Sequence, residues 1–216
     1  MGTTSNLVPV GLMFNSPFGL VIAPDPPYRT VGELVAAAKA QPGKLDYGTT
    51  GAGGATHLMT ERILAAAGID AVAVHYRGAA PAVTAALTKE EHFSMPGITS
   101  AFPFLPDGTA RVLGVTTAKR LPAAPSVPTL VEQGYPALVG HVWYGVLAPL
   151  GRPCAVIDRL NREINASVQS PEMRERLVAD GSVSIPGMNP EGFGRQIREE
   201  TEVWRQAIVP LNLKLD

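Results

Sequence analysis

The stretch Tyr47-Gly48-Thr49-Thr50-Gly51-Ala52-Gly53-Gly54-Ala55-Thr56-His57 sets glycines between an apolar segment of strand length and an apolar segment of helix length. A turn this short and this permissive joins a buried strand directly to a helix. The pattern recurs at once. Ala71–His75 reads as a strand, Gly78 as the turn, and a helix begins near Pro81, where proline suits the first turn. Upstream, Leu20–Ala23 is a short apolar strand stopped by Pro24, Pro26 and Pro27. Thr30 with Glu33 has the spacing of a capping box before a helix over 31–40, which Gly43 closes, and Leu45–Tyr47 is a buried strand. Strands alternating with helices predict a parallel or mixed sheet covered by helices, with ligand sites where strand ends meet helix N-termini.

Further along, 111–116 reads as a strand, 121–128 as a proline-rich loop, 129–133 as a short helix and 141–148 as an extended segment. The last third changes character. Segments 153–168, 171–180 and 190–208 each begin at or near a proline and carry apolar residues three and four apart, as at Ile157, Leu160, Ile164 and Val168, predicting three amphipathic helices. A chain of 216 residues, 45% apolar and 17% charged, has enough apolar matter for a core and too little charge for a disordered tail. Its net charge of −1, with basic residues scattered, gives no support to a nucleic-acid or membrane-surface role. No apolar run approaches the roughly 18–20 residues of a membrane span. Residues 1–14 lack the basic and small-residue features of a secretory signal. Cys154 is alone, which excludes an internal disulfide and a cysteine-based zinc cluster.

Thr49, Thr50, Gly51, Ala52, Gly53 and Gly54 are the first candidate site. Their backbone N–H groups can converge on an anion, and the following helix adds unpaired donors and a partial positive charge. A tight strand-to-helix turn with no ligand accounts for the same glycines, and both readings stay open at this point. A dinucleotide fingerprint fails because Thr56 stands where the third glycine is needed, and no Gly-Lys-Ser/Thr exists for a P-loop. His57 is placed to hydrogen-bond and orient the turn. His57 and Glu61 share a helix face, but two ligands do not make a metal site. The second candidate is Tyr76, Gly78, Ala79, Ala80 and Pro81, with the Tyr76 hydroxyl and the following amides as ligand contacts; a capped helix beside a half-buried tyrosine is the alternative. Arg77 is expected to face solvent. No Gly-x-Ser-x-Gly elbow is present, and nothing pairs a nucleophile with a base.

Several motifs occur in one order. They are Thr30-Val31-Gly32-Glu33-Leu34, Gln41-Pro42-Gly43-Lys44-Leu45-Asp46-Tyr47-Gly48, Gly51-Ala52-Gly53 with His57, His75-Tyr76-Arg77-Gly78, Arg120-Leu121-Pro122, Val127-Pro128-Thr129, Glu132-Gln133-Gly134-Tyr135-Pro136 and Trp143-Tyr144-Gly145. From about Pro9 onward the chain resembles the extracytoplasmic solute receptors of tripartite tricarboxylate transporters, the Bug family. The resemblance implies an α/β fold of the type II periplasmic binding protein kind: two lobes with hinge crossings. Residues 1–23 would be a remnant of lobe one with the first hinge strand, 24–141 lobe two, and 142–216 the second hinge strand with the C-terminal helices of lobe one.

It further implies that a small carboxylate (a di- or tricarboxylate, acidic amino acid or aromatic acid) is held by backbone amides, hydroxyls and water at Thr49–Gly54 and Tyr76–Pro81. No cofactor, metal or catalysis is implied. The implied partners are the membrane subunits of a tripartite tricarboxylate transporter, and the implied location is the periplasm. The family is longer at the N-terminus, so lobe one is expected to be incomplete and its uncovered apolar surface to favour self-association. Two positions depart from the family: Gly54 replaces a serine, and the usual glycine is absent from Leu87-Thr88-Lys89-Glu90-Glu91. The rival readings are an enzyme on the same scaffold, acting on an acyl or phosphoryl group at the glycine turn, and a remnant that binds nothing.

Overall fold

The computed structural model of the chain describes residues 6–25 and 27–209. Expectations that touch residues 1–5, residue 26 or residues 210–216 lie outside the described residues. Two sheets organise the chain. The first has the order β7-β1-β8, from β1 (Leu7–Pro17), β7 (His141–Pro149) and β8 (Val183–Ser184). The second has the order β4-β3-β5-β2-β6, from β2 (Gly19–Ile22), β3 (Asp46–Thr49), β4 (Val72–His75), β5 (Phe93–Ser94) and β6 (Arg111–Val115). β3 is parallel to β4 and β5, and β2 runs antiparallel to β5 and β6. The carboxyl ends of β3, β4, β5 and β6 therefore share one edge.

All four residues of β2 are buried. Leu20 and Ile22 enter a cluster with helices α1 (Val31–Ala40) and α2 (Ala55–Ala67). Val21 points the other way, toward Ile98, Phe102 and Leu87 at the end of α3 (Ala79–Leu87). That alternation along one strand makes the second sheet the middle of three layers. α1 buries Val31, Leu34, Val35 and Ala38, one face of a helix. Its start follows the capping pattern with one change. Thr30 Oγ1 accepts from Glu33 N at 3.1 Å, but Glu33 Oε2 reaches back to Arg29 N instead of Thr30 N. Gln41 is the C-cap, and Gly43, at φ +70°, makes the turn beyond it.

The chain passes between the sheets twice, at Phe18 and at Gly140. Thr116 joins the two crossings. Its Oγ1 accepts from Phe18 N at 2.9 Å and donates to Gly140 O at 2.6 Å, while its main chain bonds Phe18 O and receives Gly140 N. Thr116 is buried, so these bonds are shielded from water.

Three helices follow β7: α4 (Cys154–Gln169), α5 (Pro171–Ala179) and α6 (Pro190–Ile208). All three match the predicted periodicity. Their apolar faces are only partly covered: Val168, Leu177 and Phe193 are buried, while Val156 and Leu160 of α4 and Val203 of α6 are exposed. The helix predicted over 129–133 is corrected to a run of turns. Thr129 and Glu132 do make the reciprocal capping bonds, Glu132 Oε2 accepting from Thr129 N at 2.7 Å and Thr129 Oγ1 from Glu132 N at 3.0 Å. The segment stops because Leu130 N bonds Val115 O and Gln133 Nε2 bonds Leu113 O, tying it to the edge of β6.

Candidate functional site

The glycine turn stands on a buried polar pedestal. Tyr47 of β3 is fully buried, stacked on Phe93 with ring centroids 5.5 Å apart, and donates its hydroxyl to Glu61 Oε1 at 2.5 Å. Burial, and then the Glu61 carboxylate, push the Tyr47 phenol far above its usual range, so it remains a donor. Glu61 Oε1 also lies 3.7 Å from His57 Nε2, and the other ring nitrogen, Nδ1, accepts from Gly53 N at 3.0 Å. An Nδ1 that accepts puts the ring proton on Nε2, toward Glu61. Burial lowers the His57 pKa below its ordinary value; Glu61 opposes the shift and nearby His75 adds to it. The orienting role expected for His57 is what these contacts describe.

An account of the turn's amides shows which remain for a ligand. Thr50 N goes to Thr56 Oγ1, Gly51 N to Thr49 Oγ1, Gly53 N to His57 Nδ1 and Gly54 N to Gly51 O. Gly54 is the N-cap of α2, with no side-chain cap and no acidic residue in the first turn. The first-turn amides of Ala55, Thr56 and His57 thus keep the donors that a helix start leaves open. Gly51 has φ +132°, and a Cβ built there would meet nothing within 4 Å, so the turn opens onto unfilled space.

The second turn lies beside the first. β3 and β4 pair in register, Thr49 with His75; Tyr76 N donates to Thr49 O at 2.8 Å, and Thr49 Oγ1 lies 3.1 Å from His75 Nδ1. The rings of His57 and His75 meet edge to face at 5.1 Å. Gly78, at φ +119°, is the N-cap of α3, again with no side-chain cap and no first-turn acid. Ala79 and Ala80 present amides there, and Pro81 has none to lose. By contrast α1, α5 and α6 are capped by Thr30, Ser170 and Asn189 and carry Glu33, Glu172 and Glu191 in their first turns; α4, also uncapped and without a first-turn acid, packs on β1 of the other sheet. Two adjacent helix starts are therefore left with their partial positive charge uncompensated at one sheet edge.

Every candidate site residue falls on these two turns. The Tyr76 hydroxyl, expected to face a ligand, donates to Glu91 Oε1 at 2.8 Å; Arg77 is exposed as expected. Ala55 and Thr56, whose amides stay open, were not named as candidates, although the sequence points to unpaired donors in the first turn of the following helix. A groove of about 890 Å³ lies elsewhere, beside β6, lined by Phe102, Arg111 and Val127 among others. Among the described residues, no group of three or more His, Cys, Asp or Glu side chains is placed to hold a metal ion, and no helix is long and apolar enough to cross a membrane.

Comparison with known proteins gives this geometry a context. The model of the tripartite tricarboxylate transporter family receptor matches residues 2–213. A protein from the tcbD-tcbE intergenic region of Pseudomonas sp. strain P51 is 35% identical over 209 residues, 96% of this chain and 62% of that protein. BugT of Bordetella pertussis is 29% identical, over 97% of this chain and 64% of BugT. This chain thus spans under two thirds of the length of these curated relatives. Among solved structures, the periplasmic binding protein BugD superposes with a TM-score of 0.90 at 26% identity, covering 96% of this chain and 70% of BugD. R. palustris Rpa4515, solved with adipate, gives 0.92 at 28% identity, covering 98% and 70%. The fold is that of periplasmic solute-binding proteins, and the chain belongs to the tripartite tricarboxylate transporter receptor family, the Bug proteins.

Proposed function

We propose that this chain binds a small carboxylate at the edge formed by Thr49–His57 and Tyr76–Pro81, and does so as the receptor of a tripartite tricarboxylate transporter in the periplasm. The observation that carries the reading is the pair of uncapped helix starts, α2 and α3, side by side with open amides and no first-turn acid. A carboxylate supplies what those donors lack, at a position where a lysine or arginine is unnecessary. Rpa4515, of the same fold, was solved with adipate, which supports an aliphatic dicarboxylate as the ligand class. The two sheets then act as two lobes joined at Phe18 and Gly140, and closure over the ligand is the signal read by the membrane subunits. Receptor function is favoured over an enzyme because His57 and His75 are both engaged in holding the turns.

The test is Ala55→Pro. Proline is tolerated at the first position of a helix, and Gly54 at ψ 162° already has the conformation that precedes proline. The substitution deletes one open amide and leaves the helix. A hydrogen bond to a charged group contributes about 1.5–3 kcal/mol, so affinity for adipate in calorimetric titration is expected to drop by about tenfold or more with the melting temperature unchanged. Equal adipate affinity in both proteins would place the ligand elsewhere. Amide analogues of adipate serve as controls and are expected not to bind.

A further inference from the structure

Glu91 is the one acidic residue in the buried class among the described residues, 5% exposed. It lies where the chain doubles back after α3. Lys89 sits in the left-handed region at φ 62°, and Glu90 N and Glu91 N both donate to Ala85 O, at 2.9 and 3.1 Å. The Glu91 side chain is thereby brought to Tyr76, whose hydroxyl donates to Oε1; Oε2 is buried and no donor reaches it. Asp46, at the start of β3, lies within hydrogen-bonding reach of the same carboxyl. Asp46 Oδ1 already accepts from His92 N at 2.9 Å and lies 2.5 Å from His92 Nδ1. Two carboxyl groups share a hydrogen bond only when one of them holds a proton.

The surroundings decide which one. Burial, and then the charges of Asp46 and Glu90, raise Glu91 above its ordinary value against the pull of the Tyr76 bond. Burial works against Asp46 too, but its bonds to His92 outweigh that and hold it low. Asp25, Tyr28, Lys89 and His92 line the adjoining cavity with Glu91. Lys89 is exposed; Tyr28 donates to His92 O at 3.1 Å and is pushed up to about 12 by burial and Asp46, so it stays neutral. The Tyr76 phenol is likewise pushed up to about 12, first by burial and then by Glu91.

We propose that Glu91 is carried as the neutral acid and is a positioning residue for the second turn: its proton bridges to Asp46, its other oxygen holds Tyr76, and Tyr76 sets the main chain of Gly78, Ala79 and Ala80. Losing that proton to solvent leaves two carboxylates within reach of each other, drives Glu91 away from Tyr76, and adds negative charge beside an anion site. Carboxylate capture therefore tightens in acid. This deepens the binding reading and rests on it only for that last consequence.

The experiment follows the amide NMR signals of Gly78, Ala79 and Ala80 with pH, in the wild type and in Glu91→Gln. Glutamine keeps the shape and donates to Asp46 as the neutral acid does. The wild-type signals are expected to titrate together with a midpoint above 4.5, the ordinary value for glutamate, and those of Glu91→Gln to stay at their acid-side positions. Adipate affinity of the wild type, taken relative to Glu91→Gln at each pH so that the ligand's own titration cancels, is expected to fall severalfold as pH rises through the wild-type midpoint. A midpoint at or below 4.5, or parallel titration in both proteins, overturns the proposal. If adipate binds the wild type at no pH, the anion site itself is refuted, while the amide titration still decides the state of Glu91.

Discussion

His57 turns one nitrogen to the Gly53 amide and the other toward Glu61, so its protonation is a stability matter as well as a binding one. In the unfolded chain it takes a proton near 6.5, and in the fold it resists. The unfolded state thus binds more protons below that value, and the stability contributed is present above about 6.5 and lost as pH falls through it. His57→Gln leaves an oxygen able to accept from Gly53 N and has no proton to gain. Thermal unfolding from neutral pH to about pH 5 is expected to show a shallower decline in this variant than in the wild type. Identical slopes would mean that His57 titrates normally. Glu91 has the opposite sign, since a raised acid costs stability as pH rises.

At the scale of single elements, α3 ends in a strained turn. Lys89 occupies the left-handed region, which costs a side-chain-bearing residue about 1–2 kcal/mol, and its own side chain is exposed. Lys89→Gly gives back part of that through the greater freedom of the unfolded chain, and a net gain of about 1 kcal/mol in urea unfolding is expected. No gain, or a loss, would show that the lysine side chain contributes there. The sequence marked this spot, because the family glycine is missing between Leu87 and Glu91, and likewise Trp143-Tyr144-Gly145. A Cβ on Gly145 would lie 2.4 Å from the Phe193 ring, so that glycine is a packing requirement.

Strand–turn–helix units and caps were legible because each is written in neighbouring residues: Thr30 with Glu33, Gly54 before Ala55, Gly78 before Ala79. β1, β5 and β8 were not. β5 and β8 have two residues each, and their pairing depends on partners far away in the chain, Tyr47 with Phe93 and Asn15 with Val183. The false helix at 129–133 has the same cause. Its caps are local and correct, but the β6 edge claims its amides. The candidate turns were visible from glycine spacing. The link from Tyr76 to Glu91 joins residues whose meeting depends on a left-handed lysine, a conformation that sequence spacing does not announce.

For the molecule as a whole, the first sheet and its helices are unevenly covered. β7 is an edge strand, and Leu150, Val156, Leu160 and Val203 are 65%, 45%, 42% and 57% exposed. Apolar side chains and an open strand edge on one side of a protein favour self-association. Light scattering on this chain alone is expected to report a mass above the 22.7 kDa of one copy, rising with concentration. A monodisperse monomer would show that these residues tolerate water. The join between the sheets has a different consequence. Both crossings are fastened to Thr116, and two fastened points define a line. On the proposed two-lobe reading, the halves are expected to swing about the line through Phe18 and Gly140, so that every closure retraces one arc.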